Sequence, residues 1–457
     1  MPDSSAVGFS LSSLKQSLND PLFVEPNSSI YLAFSGGLDS HVLLHALSGL
    51  AESYPFSLQA IHVNHLLQSE STNWANYCQS VCDGLGVALT IKTVEVSTKQ
   101  GEGLEAAARD ARYAAIAEVL PESGLCMTAQ HMNDQSETLL LQLMRGAGVH
   151  GLASMPVKRA LASGKLLRPL LSFTRDDLHA YAIKHELNWL EDPSNQDQRF
   201  DRNFLRNEIL PALRERWPGM DKSLSRSARH AASAATMLDE MGRADLIHCQ
   251  AASNHFFPPD IASLRADLLR ELPAVHQLNA LRCWVRINGL NVPGDERLQS
   301  FIKLLSESPE KGAVAWQQGA FRLYDNMLWL CNRSEVVQPE NEILNWNIGK
   351  PLLIPQLQQE LCSIELTGEG VAKSAISNSS LQVRFRQGGE VCRMPGDHGS
   401  KPLKTLLQDL AVPPWQRAGL PLIYLHDELI AVSSLWTNSH YLPAVDEVGV
   451  VFSVHYR

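Results

Sequence analysis

Residues 29–40, SIYLAFSGGLDS, decide the fold of the first part of the chain. Residues 29–34 are predicted to form a short strand, and apolar side chains recur at helical spacing from Val42 onward. A loop that joins the carboxyl end of a strand to the start of a helix suits an anion, because helix N–H groups point into it. Asp39 in such a loop would repel phosphates unless a cation lay between them, so the loop predicts bound phosphates with Mg²⁺.

Strands and helices continue to alternate beyond this loop. Further strands are predicted at residues 58–63, 88–94, 125–129 and 165–167, and helices at residues 72–85, 104–120 and 133–145. Strands that alternate with helices form parallel sheets with crossover helices. We therefore predict an α/β fold, with a Rossmann-like parallel sheet, over residues 1–217.

The alternation ends near Pro211. The later elements predicted are a helical stretch at 221–270 interrupted at Pro258-Pro259, a helix at 276–288 and a hairpin at 314–330. A linker is predicted at 338–342 and 349–355, and short strands are predicted around one helix at 403–410. This pattern predicts two further domains. Residues 218–340 are expected to be a mainly helical domain, and residues 341–457 a small α+β domain.

The composition is that of a globular protein. Hydrophobic residues make up 44% of the 457 residues and charged residues 19%, which excludes a disordered chain. No run of about 18 apolar residues predicts a membrane span, and the first residues lack a signal-peptide pattern. The eight cysteines form no C-x-x-C pair. Scattered thiols of this kind predict reduced core residues and a cytoplasmic protein.

The net charge argues against a uniformly basic, RNA-binding surface. Lys and Arg number 39 against 49 Asp and Glu, which gives −10 at pH 7. Lys and Arg supply most of the affinity for phosphate backbones. A nucleic-acid partner would therefore require the cations to be segregated on a few surfaces.

The glycine loop lacks the lysine of a G-x-x-x-x-G-K-[ST] loop. SGGLDS resembles instead the SGGxDS signature of the PP-loop ATP pyrophosphatases. The resemblance implies that the loop holds the pyrophosphate of ATP while a substrate oxygen attacks the α-phosphate. The simpler interpretation, an ordinary turn with an acid at a helix start, accounts less well for all six residues together.

Further motifs narrow the resemblance to one family. They are IHVNH (61–65), LEAAARDARY (104–113), HMNDQSET (131–138), RGAG (145–148), EDPSN (191–195) and RNFLRNEILP (202–211). In this order they closely resemble the tRNA(Ile)-lysidine synthetase family. The resemblance is dense over about the first 215 residues and weaker in PGDHGSKPLKTLLQDLAVPPWQR of the tail. The middle region fits that family only in position and length.

The resemblance implies a two-step reaction. ATP adenylates O2 of the wobble cytidine in a CAU-anticodon tRNA(Ile), and the amine of free lysine then displaces AMP from C2 to give lysidine. The modified base pairs as a uridine analogue, so decoding and charging change from methionine to isoleucine. The implied partners are ATP, Mg²⁺, lysine and tRNA(Ile).

The resemblance also implies roles for particular residues. Those expected to bind ATP are Ser35, Gly36, Gly37, Leu38, Asp39, Ser40, His65, Arg109 and His131, with Asp39 also expected to hold Mg²⁺. Those expected to act in catalysis are Asp39, Asp134, Glu137 and Arg112. Those expected to contact tRNA are Arg202, Arg206, Arg393, Lys401 and Lys404. Asn133 departs from the family, which usually has two adjacent aspartates there, so the acid role rests on Asp134.

Several alternatives stay open on the sequence alone. His65 and His131 can be structural histidines at strand ends, while Arg109, Arg112, Arg202 and Arg206 can be ordinary surface charges. A tRNA thiolase of the same superfamily is the alternative enzyme, although such enzymes usually use paired cysteines. An amide-forming synthetase or an RNA-binding scaffold fits less well. A homodimer is neither required nor excluded.

Overall fold

The structure is a computed structural model that describes residues 8–20, 22–65, 71–96, 104–192, 197–250, 263–307, 311–332, 343–357, 359–377, 379–394 and 399–456. The chain divides into two compact units, Met1–Met237 and Leu238–Arg457. The predicted break at Pro258-Pro259 and the predicted linker at 338–342 lie outside the described residues. The prediction of a linker at 349–355 is wrong, because Leu352–Ile354 form a strand that pairs with residues 359–361. No helix of the described part is long and apolar enough to cross a membrane.

A six-stranded sheet organises the first unit, with strand order β3-β2-β1-β4-β6-β5. Its strands are β1 (Ser28–Ala33), β2 (Phe56–Asn64), β3 (Ala88–Thr93), β4 (Leu125–Met127), β5 (Lys158–Leu161) and β6 (Gly164–Leu167). Five of them pair in parallel, and β5 pairs with β6 antiparallel at the edge. The predicted parallel sheet is confirmed.

Helices cover both faces of this sheet. They are α1 (Leu11–Asn19), α2 (Leu38–Ala51), α3 (Ser71–Leu85), α4 (Leu104–Val119), α5 (Met132–Met144), α6 (Val149–Leu152), α7 (Arg175–Lys184), α8 (Asp201–Phe204), α9 (Leu210–Arg216) and α10 (Met220–Cys249), which ends in the second unit. Ile30, Tyr31 and Leu32 of β1 are buried in succession. A strand buried on both faces carries such a continuous apolar run.

Among the elements of the first unit that were not predicted are α1, α7 and β5. Helix α1 and helix α7 are short, and β5 is a four-residue strand with three exposed positions. Helix α7 nevertheless carries a start signal, because Thr174 accepts from the N–H of Asp177 while the Asp177 carboxylate accepts from the N–H of Thr174. This reciprocal capping is readable as T-x-x-D in the sequence.

The part of the second unit from 263 to 332 combines helices with a four-stranded antiparallel sheet of order β7-β10-β9-β8. The elements are β7 (Ser263–Arg265), α11 (Ala266–Glu271), α12 (Ala274–Ile287), α13 (Asp295–Glu307), β8 (Lys311–Ala315), β9 (Gly319–Tyr324) and β10 (Met327–Asn332). The predicted hairpin corresponds to β9 and β10, which form the middle of this sheet. Phe321 of β9 packs against Trp284 of α12 and Phe301 of α13, with ring centroids 6.0 and 4.8 Å apart.

The rest of the second unit is rich in strands. The elements are β11 (Leu344–Trp346), β12 (Leu352–Ile354), β13 (Gln359–Thr367), β14 (Val371–Ala372), α14 (Lys373–Ile376), β15 (Leu381–Arg384), β16 (Val391–Arg393), β17 (Ser400–Pro402), α15 (Leu403–Asp409), β18 (Leu422–Leu425), β19 (Glu428–Val432), β20 (Trp436–Thr437) and β21 (Val448–Tyr456). They form sheets of order β11-β15-β18-β19-β20 and β12-β13-β21-β14, with β16 and β17 as a separate pair. The predicted α+β character is confirmed.

Candidate active site

Three groups of predicted site residues in the first unit follow the carboxyl ends of neighbouring strands. The glycine loop follows β1, His65 follows β2, and His131 lies shortly after β4. The chain moves from β1 outward to β2 and β3 and then returns to β4 on the other side of β1. Ligands of open α/β sheets bind at such a reversal of strand order, because the loops separate there and leave a crevice.

The loop 35–40 is held by its own hydroxyls. Ser35 N–H donates to Ser40 Oγ over 3.3 Å, the Ser40 hydroxyl donates to the Gly37 carbonyl over 3.0 Å, and Trp74 Nε1–H donates to the Ser35 carbonyl over 3.0 Å. Gly36 has φ +80°, which favours glycine. Gly37 caps α2 without a side-chain hydrogen bond. The first N–H groups of α2 therefore receive no side-chain cap there and suit a phosphate.

Asp39 lies in the first turn of α2 with an oxygen available to a cation. Its Oδ1 is buried and has no hydrogen-bond partner within the described residues. Its Oδ2 lies 3.5 Å from His131 Nε2, and the side chain is 31% exposed. No group of three potential ligands surrounds a metal position in the described part. One carboxylate together with nucleotide phosphates is the usual setting for Mg²⁺, so the donor set fits that ion.

His131 connects Asp39 to the acids of α5. The imidazole is 2% exposed, and its Nε2 lies 3.5 Å from both Asp39 Oδ2 and Asp134 Oδ2. Asp134 Oδ2 also accepts from the His131 N–H over 3.0 Å. Burial alone would lower the pKa of His131, but the carboxylates of Asp134 and Asp39 raise it above its usual value.

Two arginines neutralise the acids of α5. Arg202 Nε donates to Glu137 Oε2 over 2.9 Å, while Arg206 donates to Glu137 Oε1 over 2.6 Å and to Asp134 Oδ1 over 3.1 Å. Glu137 is 1% exposed, so its carboxylate lies within the protein rather than in the crevice. Burial alone would raise the pKa of Asp134, but His131, Arg202 and Arg206 hold it below its usual value.

A π-helical turn carries the second arginine of this pair. The turn spans Leu205–Ile209, between α8 and α9, and contains Arg206. Turns of this kind are rare and occur mostly as single bulges near functional sites. The same carboxylate of Glu137 thus receives one arginine from α8 and one from the turn. The sequence motif named both arginines, but its linear order could not reveal their carboxylate partners.

His65 and Arg112 form a separate pair. Arg112 Nε donates to His65 Nε2 over 3.5 Å, and His65 Nδ1 is buried with no hydrogen-bond partner in the described residues. Burial and the Arg112 charge lower the pKa of His65 to about 4, so the imidazole is neutral at physiological pH. Deeper in β2, His62 Nδ1 lies 2.9 Å from the Phe34 carbonyl, a contact that sequence reasoning did not anticipate.

Asn133 supports a neighbouring helix. Its Oδ1 accepts from the backbone N–H of Arg175 over 2.9 Å, at the first residue of α7. A neutral amide oxygen suffices for this contact. The departure from the family pattern therefore leaves the Asp39–His131–Asp134 connection intact.

The predicted tRNA-contacting cations of the tail lie in the second unit and differ in their surroundings. Lys401 pairs with Asp409, and Arg393 NH1 lies 3.2 Å from the His440 ring nitrogens. Lys404 is exposed and forms no ion pair with any described residue. Among the described residues, only Lys401 of these three cations has a carboxylate partner, so the charges of Arg393 and Lys404 are both uncompensated there.

Family models match three segments of the chain: a PP-loop domain at residues 10–213, a TilS substrate binding domain at 264–329, and a TilS substrate C-terminal domain at 381–454. Each match lies inside one of the three predicted domains, whose boundaries stay a prediction. The sheet, the SGGLDS loop and the first match together define a PP-loop enzyme, a class that uses ATP.

Two relatives extend the similarity to most of the chain. The tRNA(Ile)-lysidine synthase of Coxiella burnetii is 40% identical over 408 residues, which cover 89% of this chain and 88% of that protein. That of Pseudomonas aeruginosa is 39% identical over 409 residues, covering 88% and 89%. The chain belongs to the tRNA(Ile)-lysidine synthase family.

A solved U34-tRNA thiolase from Methanococcus maripaludis is a more distant match. It is 16% identical, has a TM-score of 0.42, and covers 48% of this chain and 76% of that one. A similarity this distant does not favour thiolation.

Proposed function

We propose that this chain ligates lysine to C2 of the wobble cytidine of a CAU-anticodon tRNA(Ile), after adenylating that base with ATP. The observation that carries the proposal is Asp39, whose Oδ1 lacks a donor beside an uncapped helix start and a glycine loop. Membership in the lysidine synthase family supplies the substrate and the product.

In the first step, cytidine O2 attacks the α-phosphorus of ATP and the bond to pyrophosphate breaks. We infer that the backbone of Gly36, Gly37 and Leu38, with the hydroxyls of Ser35 and Ser40, holds the leaving pyrophosphate. Donors placed before the reaction stabilise charge without reorganising. Mg²⁺ held by Asp39 and the phosphates would neutralise part of the developing charge.

In the second step, the amine of lysine attacks C2, the C2–O2 bond breaks, and AMP leaves with that oxygen while the amine loses a proton. Asp134 is the better candidate to face the lysine ammonium, because its side chain is 14% exposed and that of Glu137 only 2%. Glu137 then acts as a positioning residue that fixes Arg202 and Arg206. Because Arg202 and Arg206 both donate to Glu137, their predicted contacts with tRNA would use the N–H groups that do not point at Glu137.

Four other predicted site residues complete this proposal. Arg112, which donates to His65, stays a predicted catalytic residue because a guanidinium group suits phosphate charge. His65, Arg109 and His131 were predicted to bind ATP, and we keep this role for His65 and His131. His131, being buried between two carboxylates, would act on ATP through Asp39 rather than by direct contact.

The decisive assay supplies ATP, Mg²⁺, radiolabelled lysine and CAU-anticodon tRNA(Ile). Label should enter the tRNA together with AMP release, and a methionine tRNA should stay unlabelled. Absence of lysine label, with label entering instead from a sulfur donor, would overturn the proposal.

Replacing Asp39 by Asn tests the assigned metal role. We expect AMP formation to be lost in Asp39→Asn, because an amide provides a weaker ligand for Mg²⁺. Glu52→Gln is the matched control, since Glu52 is an exposed acid at the other end of α2. Turnover in Asp39→Asn comparable to that of the control would contradict the role.

The thiolase alternative is not favoured. Thiolates are the reactive form of cysteine. Burial raises the pKa of Cys78 and of Cys126 to about 12, so both are protonated thiols at neutral pH. None of the eight cysteines forms a disulfide. A cytoplasmic location and a homodimer stay predictions, and size-exclusion chromatography with light scattering checks the second.

A further inference from the structure

Three arginines gather around Tyr113 of α4. The guanidinium carbon of Arg159 lies 4.6 Å from the Tyr113 ring centroid, and that of Arg109 lies 5.7 Å from it. Arg168, the residue after β6, lies near enough to the Tyr113 side chain for the two groups to interact electrostatically. Side chains from α4, from the edge strand β5 and from the residue after β6 thus lie together around the Tyr113 ring. We call these four residues the arginine cluster.

Arg168 is the buried member of the arginine cluster. Arg168 is only 2% exposed, and its NH1 donates to the Pro156 carbonyl over 2.7 Å. Its Nε is buried and has no hydrogen-bond partner within the described residues. A buried donor without a partner costs free energy unless a ligand or water satisfies it.

Within the described part of the chain, the arginine cluster has no carboxylate partner. No ion pair joins Arg109, Arg159 or Arg168 to an acid among the residues that the structure describes. Burial and the charges of Arg159 and Arg109 lower the pKa of Arg168, as expected for a cation packed near other cations. Such an arrangement is unfavourable in isolation and becomes favourable when an anion binds.

The anion best suited to this place is a phosphodiester. Guanidinium groups bind phosphate oxygens through parallel N–H donors, and the Tyr113 hydroxyl offers a further polar contact. The phosphates of ATP are proposed to bind the loop after β1, so this cluster would bind a different phosphate. The substrate proposed above brings many phosphodiesters, and a net charge of −10 requires its contacts to be concentrated.

We propose that Arg109, Arg159, Arg168 and Tyr113 form a binding site for a backbone phosphate of the tRNA. This inference rests on the proposed function for the identity of the polyanion. It also moves Arg109 from the expected ATP site to the RNA site. Arg159 and Arg109, both exposed, would make the first contact, and the buried Arg168 would orient Tyr113 beneath them.

The test is the salt dependence of tRNA binding in the full-length chain. Arg159→Ala should weaken binding of CAU-anticodon tRNA(Ile) by about five- to tenfold at about 50 mM salt. The slope of log K against log salt should become shallower by about 0.7 to 0.9, which corresponds to one lost phosphate contact. ATP binding, measured in parallel by calorimetry, should be unchanged.

Lys158→Ala is the matched control. Lys158 precedes Arg159 on β5 and is also exposed, but its ammonium lies 5.4 Å from the Phe23 ring centroid, away from Tyr113. Successive strand residues point to opposite faces. Loss of this cation should leave the slope at its wild-type value. Equal slopes in the two variants, or a loss of ATP binding in Arg159→Ala, would overturn the inference.

A second variant addresses the buried donor. Arg168→Lys keeps the charge but cannot provide the planar set of donors, so tRNA affinity should fall about threefold or more while ATP affinity is retained. Thermal unfolding of each variant shows whether it is folded. The lysine-labelling assay on the wild type is independent of these measurements. A wild type that binds tRNA with the predicted slope but incorporates no lysine would refute the proposed reaction and leave the phosphate site standing.

Discussion

Glu137 has the most enclosed carboxylate of the site, and two guanidinium groups depend on it. Replacing it by Gln would leave Arg202 and Arg206 without their shared counter-charge. Removing one partner of a buried ion pair typically costs about 3–5 kcal/mol. We expect the free energy of unfolding of Glu137→Gln, measured in urea, to fall by about 3 kcal/mol, with loss of lysidine formation.

Glu118→Gln provides the comparison for this change. Glu118 pairs with Lys92 over 3.2 Å, and their side chains are 67% and 37% exposed. Exposed pairs contribute at most about 1 kcal/mol. If the two substitutions changed the unfolding free energy by the same amount, the buried network around Glu137 would not have the role given to it.

The lowered pKa of His65 predicts how the free energy of unfolding depends on pH. Its pKa is depressed to about 4 by burial and by Arg112, whereas an unfolded histidine titrates near 6.5. The unfolded chain therefore binds this proton first, so the contribution of His65 to stability is complete above about pH 6.5 and is lost as pH falls towards about 4. His65→Asn should lose less unfolding free energy over this interval than the wild type.

The control for this pH dependence is His230→Asn, at an exposed histidine of α10. That variant should follow the wild-type curve in urea titrations at a series of pH values. A His65→Asn curve parallel to the wild type would mean that His65 titrates normally in the folded protein.

At the level of single residues, motif reasoning located the acids but not their partners. Asp39, His131 and Asp134 meet as their positions after β1 and β4 suggested. Arg202 and Arg206 contact Glu137 across sequence separations of 65 and 69 residues. A local pattern contains no information on such a pairing, because it arises only when α8 packs against α5. Arg168 went unnoticed because a lone arginine after a strand resembles an ordinary surface charge.

Among the elements, the turn between β1 and α2 depends on a single glycine conformation. Gly36 has φ +80°, and a Cβ there would lie 3.0 Å from both Cys78 Sγ and Trp74 Nε1. Gly36→Ala would therefore combine backbone strain with a close contact to α3. We expect the free energy of unfolding to fall by about 1–3 kcal/mol and ATP binding to be lost.

Gly84→Ala is the control for this turn. Gly84 lies within α3, and a Cβ there meets nothing within 4 Å. Alanine in an exposed helix position stabilises by about 0.4–1 kcal/mol relative to glycine. Thermal melts of the two variants should move in opposite directions, and a shift of Gly36→Ala to higher temperature would contradict the assigned turn conformation.

Long elements with clear periodicity were predicted well, whereas several short ones were missed. Helix α4 and strand β2 bury an extended apolar face, so their patterns are visible in the sequence. Strand β5 has a single buried residue, Leu161, and owes its strand geometry to pairing with β6. Its conformation is therefore set by tertiary contact, which sequence patterns report poorly.

For the whole molecule, we expect the tail cations to divide by burial into those that contact RNA and those that stabilise the fold. Arg417 is 6% exposed and donates to the Val412 carbonyl and the Tyr324 hydroxyl over 2.8 and 2.7 Å. Lys404 is exposed. Lys404→Ala should weaken tRNA binding about threefold with a shallower salt slope and leave unfolding unchanged.

Arg417→Ala should behave in the opposite way. Its loss leaves buried acceptors unsatisfied, so unfolding free energy should fall by about 2 kcal/mol. Urea unfolding and filter binding of both variants separate the two roles. Comparable effects of Lys404→Ala and Arg417→Ala on both measurements would show that burial does not divide these cations.

The edge strand β5 has a consequence for how the molecule behaves in concentrated solution. Among the described residues β5 pairs with β6 alone, so its other side is an open edge of the sheet, and open edges invite pairing with a second chain. Lys158 and Arg159 are exposed on this edge, and charged side chains there discourage aggregation. These two neighbouring cations therefore oppose pairing of this edge with a second chain. Removing both at once should promote precipitation of an otherwise folded protein.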